Sequence, residues 1–423
     1  MTPPRIAVIT PSFPPKSGGI ATSHYNLFHL LKQEYTVHAF AYDDDDPEPH
    51  ENVTRCKTPV FLGRRLESLF KRYLKKYDPD DDFPNCRRIA NKAWGAWRLS
   101  KPLSSFKPDI ILAPDNNVPV YFMKKPKNAK LIWYCRNNYR RFRDNPLLPE
   151  YSWADLDVAA SMERKALKKA DLVLSPSRYM ADIFDSTIGR NGIPIEVIPN
   201  FMTDDAFAGI KPFPLREKMA WTADIPIVCL PSAGTPNKGK RYTFEIIRRL
   251  HAETGAHVAF FISGGMPNDL KFELDSLGKE LKLYAPGHLP WKDNISLLMA
   301  CDLLLSPTLV ENFSNAFVEA HWLGKPIVTF DVGGNCEIVQ DGKTGAVVPY
   351  LDMESLINRA VDLLCDRAKL NSYGHEAAAW AHESLNAGTI LQRYRAVFSA
   401  LCGSISVADT ADNVPTDYRV KES

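Results

Sequence analysis

Short apolar runs alternate with longer amphipathic segments twice along this chain, and that alternation leaves few folds open. In the first half, residues 6–10, 36–42, 109–113, 131–135, 171–175 and 195–198 read as strands, with helical segments at 20–32, 158–170 and 179–184. The second half repeats the pattern. Strands at 227–230, 258–263, 281–284, 303–306 and 327–330 alternate with helices at 242–251, 270–277 and 295–299, and with one that runs to about Trp322. Several strands are apolar throughout rather than at every second residue, as in parallel sheets buried on both faces. Parallel strands need long crossovers, and the helices supply them. Residues 201–224, with Pro212 and Pro214, read as the connection between the halves. The expected class is α/β, with two parallel-sheet domains and ligands at the carboxyl ends of the strands.

At 423 residues the chain is long enough for two domains. Hydrophobic residues make up 45% and charged residues 24%, the balance of a soluble globular protein. No apolar run reaches the length of a membrane span, and residues 1–10 carry no signal-peptide core. The eight cysteines are scattered without close pairs, which points to a reduced, cytoplasmic setting and away from a disulfide scaffold or zinc site. The acidic run 43–46 reads as a solvated loop rather than a metal site. The net charge of +2 conceals an asymmetry: residues 1–200 hold 31 basic and 23 acidic residues, the remainder 21 and 27. Such a division suggests different partners for the two halves.

The chemistry concentrates in Glu311-Asn312-Phe313-Ser314-Asn315-Ala316-Phe317-Val318-Glu319. Glu311 falls on a strand-to-helix loop and Glu319 about one turn into the helix. The free N–H groups at Ser314 and Asn315 suit a phosphate. Carboxylates beside such a site suit the hydroxyls of a sugar, since they accept from O–H donors. A nucleotide sugar combines both features.

The stretch from about Trp291 to Val348 resembles the donor-binding half of the retaining glycosyltransferases of family four, which adopt the GT-B fold. The residues that carry the resemblance are Ala300-Cys301-Asp302, Ser306-Pro307, Glu311, Glu319-Ala320, Gly324-Lys325-Pro326-Ile327, Gly333-Gly334-Asn335-Cys336-Glu337 and Gly345. Looser matches occur at Pro14-Pro15-Lys16-Ser17-Gly18-Gly19, Ser175-Pro176-Ser177, Val197-Ile198-Pro199-Asn200 and Lys238-Gly239, so the likeness spans nearly the whole chain. It implies two Rossmann-like domains whose parallel sheets face a central cleft. Residues 1–204 would form the acceptor-binding domain and 205–385 the nucleotide-sugar-binding domain. A helix at 386–402 would return to the first domain, before a disordered tail at 403–423.

The resemblance also implies roles. Lys238 is the expected cation on the diphosphate and Glu311 the carboxylate facing the transferred sugar, the two catalytic candidates. Glu319 would bind ribose hydroxyls. Gly18, Gly19, Arg241, Phe313, Ser314 and Asn315 complete the donor site, with Gly287 and His288 near the base. Ala233 stands where the family normally has an arginine, so one cation is missing unless Lys240 or Arg241 replaces it. Arg136 and Asn137 occupy a loop where many members have a histidine, and they are the acceptor-binding candidates. The favoured front-face mechanism needs no protein base, and no metal or other cofactor is expected.

The implied function is transfer of a sugar from a nucleotide-sugar donor to a glycan or lipid-linked acceptor, in surface polysaccharide or lipopolysaccharide synthesis. The alternatives are a small soluble acceptor, or a non-catalytic paralogue that only binds nucleotide sugar. Residues 61–77 place Leu62, Leu66, Leu69, Phe70, Tyr73, Leu74 and Tyr77 on one helical face among basic residues. That is the pattern of a helix lying on an anionic membrane surface, peripheral to the inner face of the cell membrane. Residues 136–143 add a second basic, aromatic patch. No nucleic-acid-reading motif is present.

Overall fold

The structure, a computed structural model, describes residues 3–14, 19–47, 50–142, 147, 152–189 and 192–403. Gly18, Arg143 and the tail beyond 403 lie outside the described residues. The chain divides into two compact units, residues 1–199 with 390–423, and residues 200–389.

The first unit holds β1 (Arg5–Thr10), β2 (Thr36–Ala41), β3 (Val53–Arg55), β4 (Ile110–Pro114), β5 (Lys130–Tyr134), β6 (Leu172–Ser175) and β7 (Ile195–Val197) in the order β3-β2-β1-β4-β5-β6-β7. Every pairing is parallel. β3 is a three-residue edge strand, only half buried, and its sequence carries no apolar run that would announce it. Helix starts are capped where the sequence offers hydroxyls: Ser152 accepts from the Asp155 N–H and Ser177 from the Met180 N–H. From Ile390 onward helix Ala387–Leu401 belongs to this unit, with Arg395 paired to Glu34 and the Phe398 ring 5.4 Å from Tyr35.

The acidic run departs from its expectation. Asp44 is fully buried and pairs with Arg55, which also donates to the carbonyls of Phe13 (3.1 Å) and Pro14 (2.8 Å). Burial alone would raise the Asp44 pKa, but backbone N–H groups of Phe13 and Asp46 together with Arg55 hold it below the usual range. The pair therefore fixes the chain as it leaves β1.

Helix Val60–Leu74 packs on helix Pro84–Arg98. Its expected apolar face is split: Leu74 is buried, whereas Leu69 (47% exposed), Tyr73 (53%) and Tyr77 (66%) are not, and Tyr77 lies beyond the helix end. Lys71 pairs with Asp82, and Lys75 donates to the Pro79 carbonyl. Arg64, Arg65 and Arg72 make no ion pair among the described residues. No described helix is long and apolar enough to cross a membrane.

The second unit holds β8 (Ile227–Pro231), β9 (Ala259–Ser263), β10 (Lys282–Tyr284), β11 (Leu303–Ser306), β12 (Ile327–Phe330) and β13 (Gly345–Val348), all parallel, in the order β10-β9-β8-β11-β12-β13. Alternate residues of β8 feed opposite sides: Val228 and Leu230 pack with Ile246 and Leu356, while Ile227 and Cys229 pack with Ile295 and Phe317. Helices cover both faces, which is why the central strands β8, β9, β11 and β12 are buried and mostly apolar. The boundary falls between Pro199 and Asn200 rather than after residue 204, and the expected connection at 201–224 packs into this unit. Met202 and Leu215 are core residues, and the Phe213 N–H donates to the Ser296 carbonyl. The strand order reverses direction between β8 and β11, the place where parallel sheets of this kind open a crevice for ligands.

Candidate functional site

The loops after β8 and β11 flank that crevice, and they are stitched together. The Leu309 N–H donates to the Asn237 carbonyl at 2.9 Å, and Thr308 Oγ1 donates to the same oxygen at 3.3 Å. Gly239, at φ +86°, lies so close to Pro307 that an added Cβ would fall 2.1 Å from the Pro307 carbonyl oxygen. This contact carries Lys238 to Glu311. Their side chains form an ion pair and are 28% and 14% exposed. The two residues expected to do the chemistry are therefore in direct contact across the reversal of strand order.

The Gly333-Gly334 pair has a packing reason. Gly333 sits at φ +65°, where a Cβ would come 2.0 Å from the Glu311 carbonyl oxygen, and the Gly334 N–H donates to the Asn312 carbonyl at 2.9 Å. The glycines thus brace the loop that carries Glu311. Ser314 is the N-cap of helix Asn315–Trp322 and makes no side-chain cap hydrogen bond among the described residues. Phe313 is buried below this turn.

Glu319 faces inward from the helix at 6% exposure. Its Oε1 accepts from the Trp291 indole N–H at 2.8 Å. Burial pushes its pKa up to about 7, and the indole bond acts in the opposite direction. Gly287 adopts φ +88° after β10, and His288 is exposed with its ring against Gly265 after β9.

The remaining candidates fall elsewhere. Gly19 opens helix Gly19–Lys32, and among the described residues an added Cβ would meet nothing within 4 Å. Arg241 is exposed on helix Lys240–Glu253 with its guanidinium 5.5 Å from the Tyr242 ring, and Lys240 pairs with Asp269. Ala233, in place of the family arginine, is buried in the core, and its carbonyl accepts from Thr243.

Arg136 and Asn137 lie in the loop after β5 of the first unit. Oδ2 of buried Asp115 accepts from three successive backbone N–H groups, those of Arg136 (2.9 Å), Asn137 (2.7 Å) and Asn138 (2.9 Å). The Arg136 guanidinium stacks 4.1 Å from the Tyr134 ring and donates to Ser23 Oγ at 2.6 Å. Sequence reasoning did not find Asp115, Trp291 or Asn200, whose Nδ2 donates to the Phe313 carbonyl and to Asn315 Oδ1. Only Asn200 stood in a quoted motif.

Two family sequence profiles match in tandem: Glycosyltransferase Family 4 over residues 17–205, and Glycosyl transferases group 1 over 214–380. The chain belongs to glycosyltransferase family 4. It is similar to a GDP-mannose-dependent alpha-(1-6)-phosphatidylinositol monomannoside mannosyltransferase of Mycolicibacterium smegmatis, with 28% identity over 398 residues covering 88% of this chain and 93% of that protein. Among solved structures it resembles sucrose-phosphate synthase from Thermosynechococcus elongatus, with TM-score 0.70, 15% identity and coverage of 95% of this chain and 100% of that one. It also resembles Anabaena HepE in complex with UDP and glucose, with TM-score 0.67, 19% identity and coverage of 94% and 100%. At these identities the structural likenesses establish the GT-B fold alone. For this family 4 chain, the candidate site combines the paired Lys238 and Glu311, the helix start at Ser314 and the buried Glu319.

Proposed function

We propose that this family 4 member is a retaining glycosyltransferase that moves a sugar from a nucleoside-diphosphate donor to a lipid-linked or other glycan acceptor. The observation that carries the reading is the Lys238–Glu311 pair, with Glu311 on the loop that leads into helix Asn315–Trp322, which carries the buried Glu319. A diphosphate takes the cation and the helix start, and Lys238 leaves Glu311 for it. The released Glu311 accepts from hydroxyls of the transferred sugar, and Glu319 from the ribose. As the bond from C1 to the phosphate oxygen breaks, negative charge grows on the leaving diphosphate, and Lys238 stabilises it. The acceptor oxygen bonds to C1 on the same face, and its proton passes to the departing phosphate. No protein base and no metal take part in this scheme.

GDP is the first donor nucleotide to test, because the mycobacterial relative uses GDP-mannose by its name. A lipid-linked acceptor is supported by that name and by exposed Phe61, Leu69 and Tyr73 beside Arg64, Arg65 and Arg72. Docking of that helix on the cytoplasmic leaflet would present such an acceptor.

A thermal-shift panel of GDP, UDP, ADP and dTDP tests the donor site, since a ligand that binds only the folded state raises its midpoint. NMR of the product then reads the anomeric configuration. Inversion would remove the retaining mechanism, and no shift with any nucleotide would remove the donor site. The buried Ala233 favours one rival, a binder without turnover. Nucleotide binding with no donor hydrolysis or transfer would support that rival.

A further inference from the structure

The first residues of the second unit fold back onto the loops of the candidate donor site. Asn200 is buried at 5% exposure, and its carboxamide Nδ2 donates to the Phe313 carbonyl at 3.0 Å and to Asn315 Oδ1 at 2.7 Å. Those acceptors lie on either side of the N-cap Ser314. Met202 is fixed by its N–H to the Leu385 carbonyl at 3.1 Å. Further on, Phe207 lies 5.7 Å from the Trp291 ring and stacks on Trp322 at 6.3 Å and 14°. Trp291 in turn holds Oε1 of Glu319.

We propose that residues 200–207 form a positioning strap for the donor site, with Asn200 setting the turn into helix Asn315–Trp322 and Phe207 acting through Trp291 on Glu319. The inference rests on the donor reading above. Neither Asn200 nor Trp291 is assigned a contact with the ligand. The direction of the first-turn N–H groups depends on how the chain enters the helix, and Asn200 bonds both sides of that entry. The Trp291 N–H occupies one oxygen of the carboxylate and fixes its plane, so that Oε2 meets a ribose hydroxyl in one orientation. Small errors in such placement are costly, which is why positioning groups matter without touching ligand.

Calorimetry of GDP, or of whichever nucleotide of the panel binds most tightly, tests the strap in Asn200→Ala and Trp291→Phe, the latter also in a Glu319→Ala background. Each single variant is expected to bind about 10-fold more weakly, a change of about 1.4 kcal/mol. Trp291→Phe should cost nothing further once Glu319 is alanine, because its effect passes through that carboxylate. A merely structural role would lower the unfolding midpoint, leave the affinity of the folded protein unchanged and show no such dependence. Should Asn200→Ala fail to fold, Trp291→Phe, which keeps a ring against Phe207, carries the test. Unchanged affinity in the variants, or an equal loss from Trp291→Phe in both backgrounds, overturns the strap and leaves the donor reading standing. Absence of nucleotide binding by the wild-type protein overturns both.

Discussion

Gly239 and Pro307 are in backbone contact: a Cβ on residue 239 would lie 2.1 Å from the Pro307 carbonyl oxygen, and its φ of +86° is one that L side chains rarely adopt. That contact brings Lys238 to Glu311. Gly239→Ala is therefore expected to cost about 2 kcal/mol or more of stability through strain and collision together. It should also abolish tight nucleotide binding, because the loop must retreat from β11. Urea unfolding and calorimetry check this, and native-like stability and affinity in the variant would refute the contact.

Glu319 gives the fold a pH-dependent cost. The group titrates near 4.5 when unfolded and near 7 when folded, so the folded state holds the proton more tightly. Its contribution to stability is greatest below pH 4.5, declines as pH rises and is fully lost above about 7. The difference is roughly 3 kcal/mol. Glu319→Gln should remove this decline, narrowing the gap between urea midpoints measured at pH 5 and pH 8, while weakening nucleotide binding by about 1.5–3 kcal/mol. The same pH gap in both proteins would contradict the assignment.

Lys238→Ala should reduce turnover about 10²–10³-fold, the usual effect of losing one group that stabilises charge in the transition state. Its partly exposed ion pair with Glu311 contributes at most about 1 kcal/mol to folding, so the unfolding midpoint should move little. Steady-state kinetics and thermal unfolding on one preparation decide the matter. Wild-type turnover would transfer the clamp to another cation, with Arg241 the next to substitute.

Replacing Arg64, Arg65 and Arg72 together with Gln should weaken binding to anionic vesicles by about 1 kcal/mol per charge, and added salt should weaken wild-type binding likewise. Nucleotide affinity should be unchanged, since Lys238, Glu311 and Glu319 lie in the second half of the chain. Vesicle co-sedimentation at low salt is the measurement. If the wild-type protein does not sediment, the lipid surface is not its partner.

Local signals carried much of the architecture. The strands β1, β5, β8 and β11 each contain an unbroken apolar run, and Ser177 announces its helix by a hydroxyl where a cap is needed. Residues 53–55 were silent because a short, half-buried edge strand needs no apolar pattern. Residues 61–77 misled in part: their periodicity describes one apolar face, but helix Pro84–Arg98 covers only a portion of it. Asp44 looked like a member of a solvated acidic run, and Arg55 makes it a buried anchor.

The sequence by itself determined the α/β class, the two-unit plan and the family, because periodicity, composition and motif order are properties of neighbouring residues. It also marked Lys238, Glu311 and Glu319 as the residues of interest. Tertiary structure alone decided their circumstances. Lys238 and Glu311 are 73 residues apart, Trp291 and Glu319 28 apart, and Asn200 and Phe313 113 apart. Whether a lysine is paired, whether a carboxylate is buried beside an indole, and whether a carboxamide finds a carbonyl all depend on distances that exist only once the sheets have formed. Ala233 shows the same division: the substitution is legible in the chain, but its burial in the core follows from what β8 and helix Lys240–Glu253 pack around it.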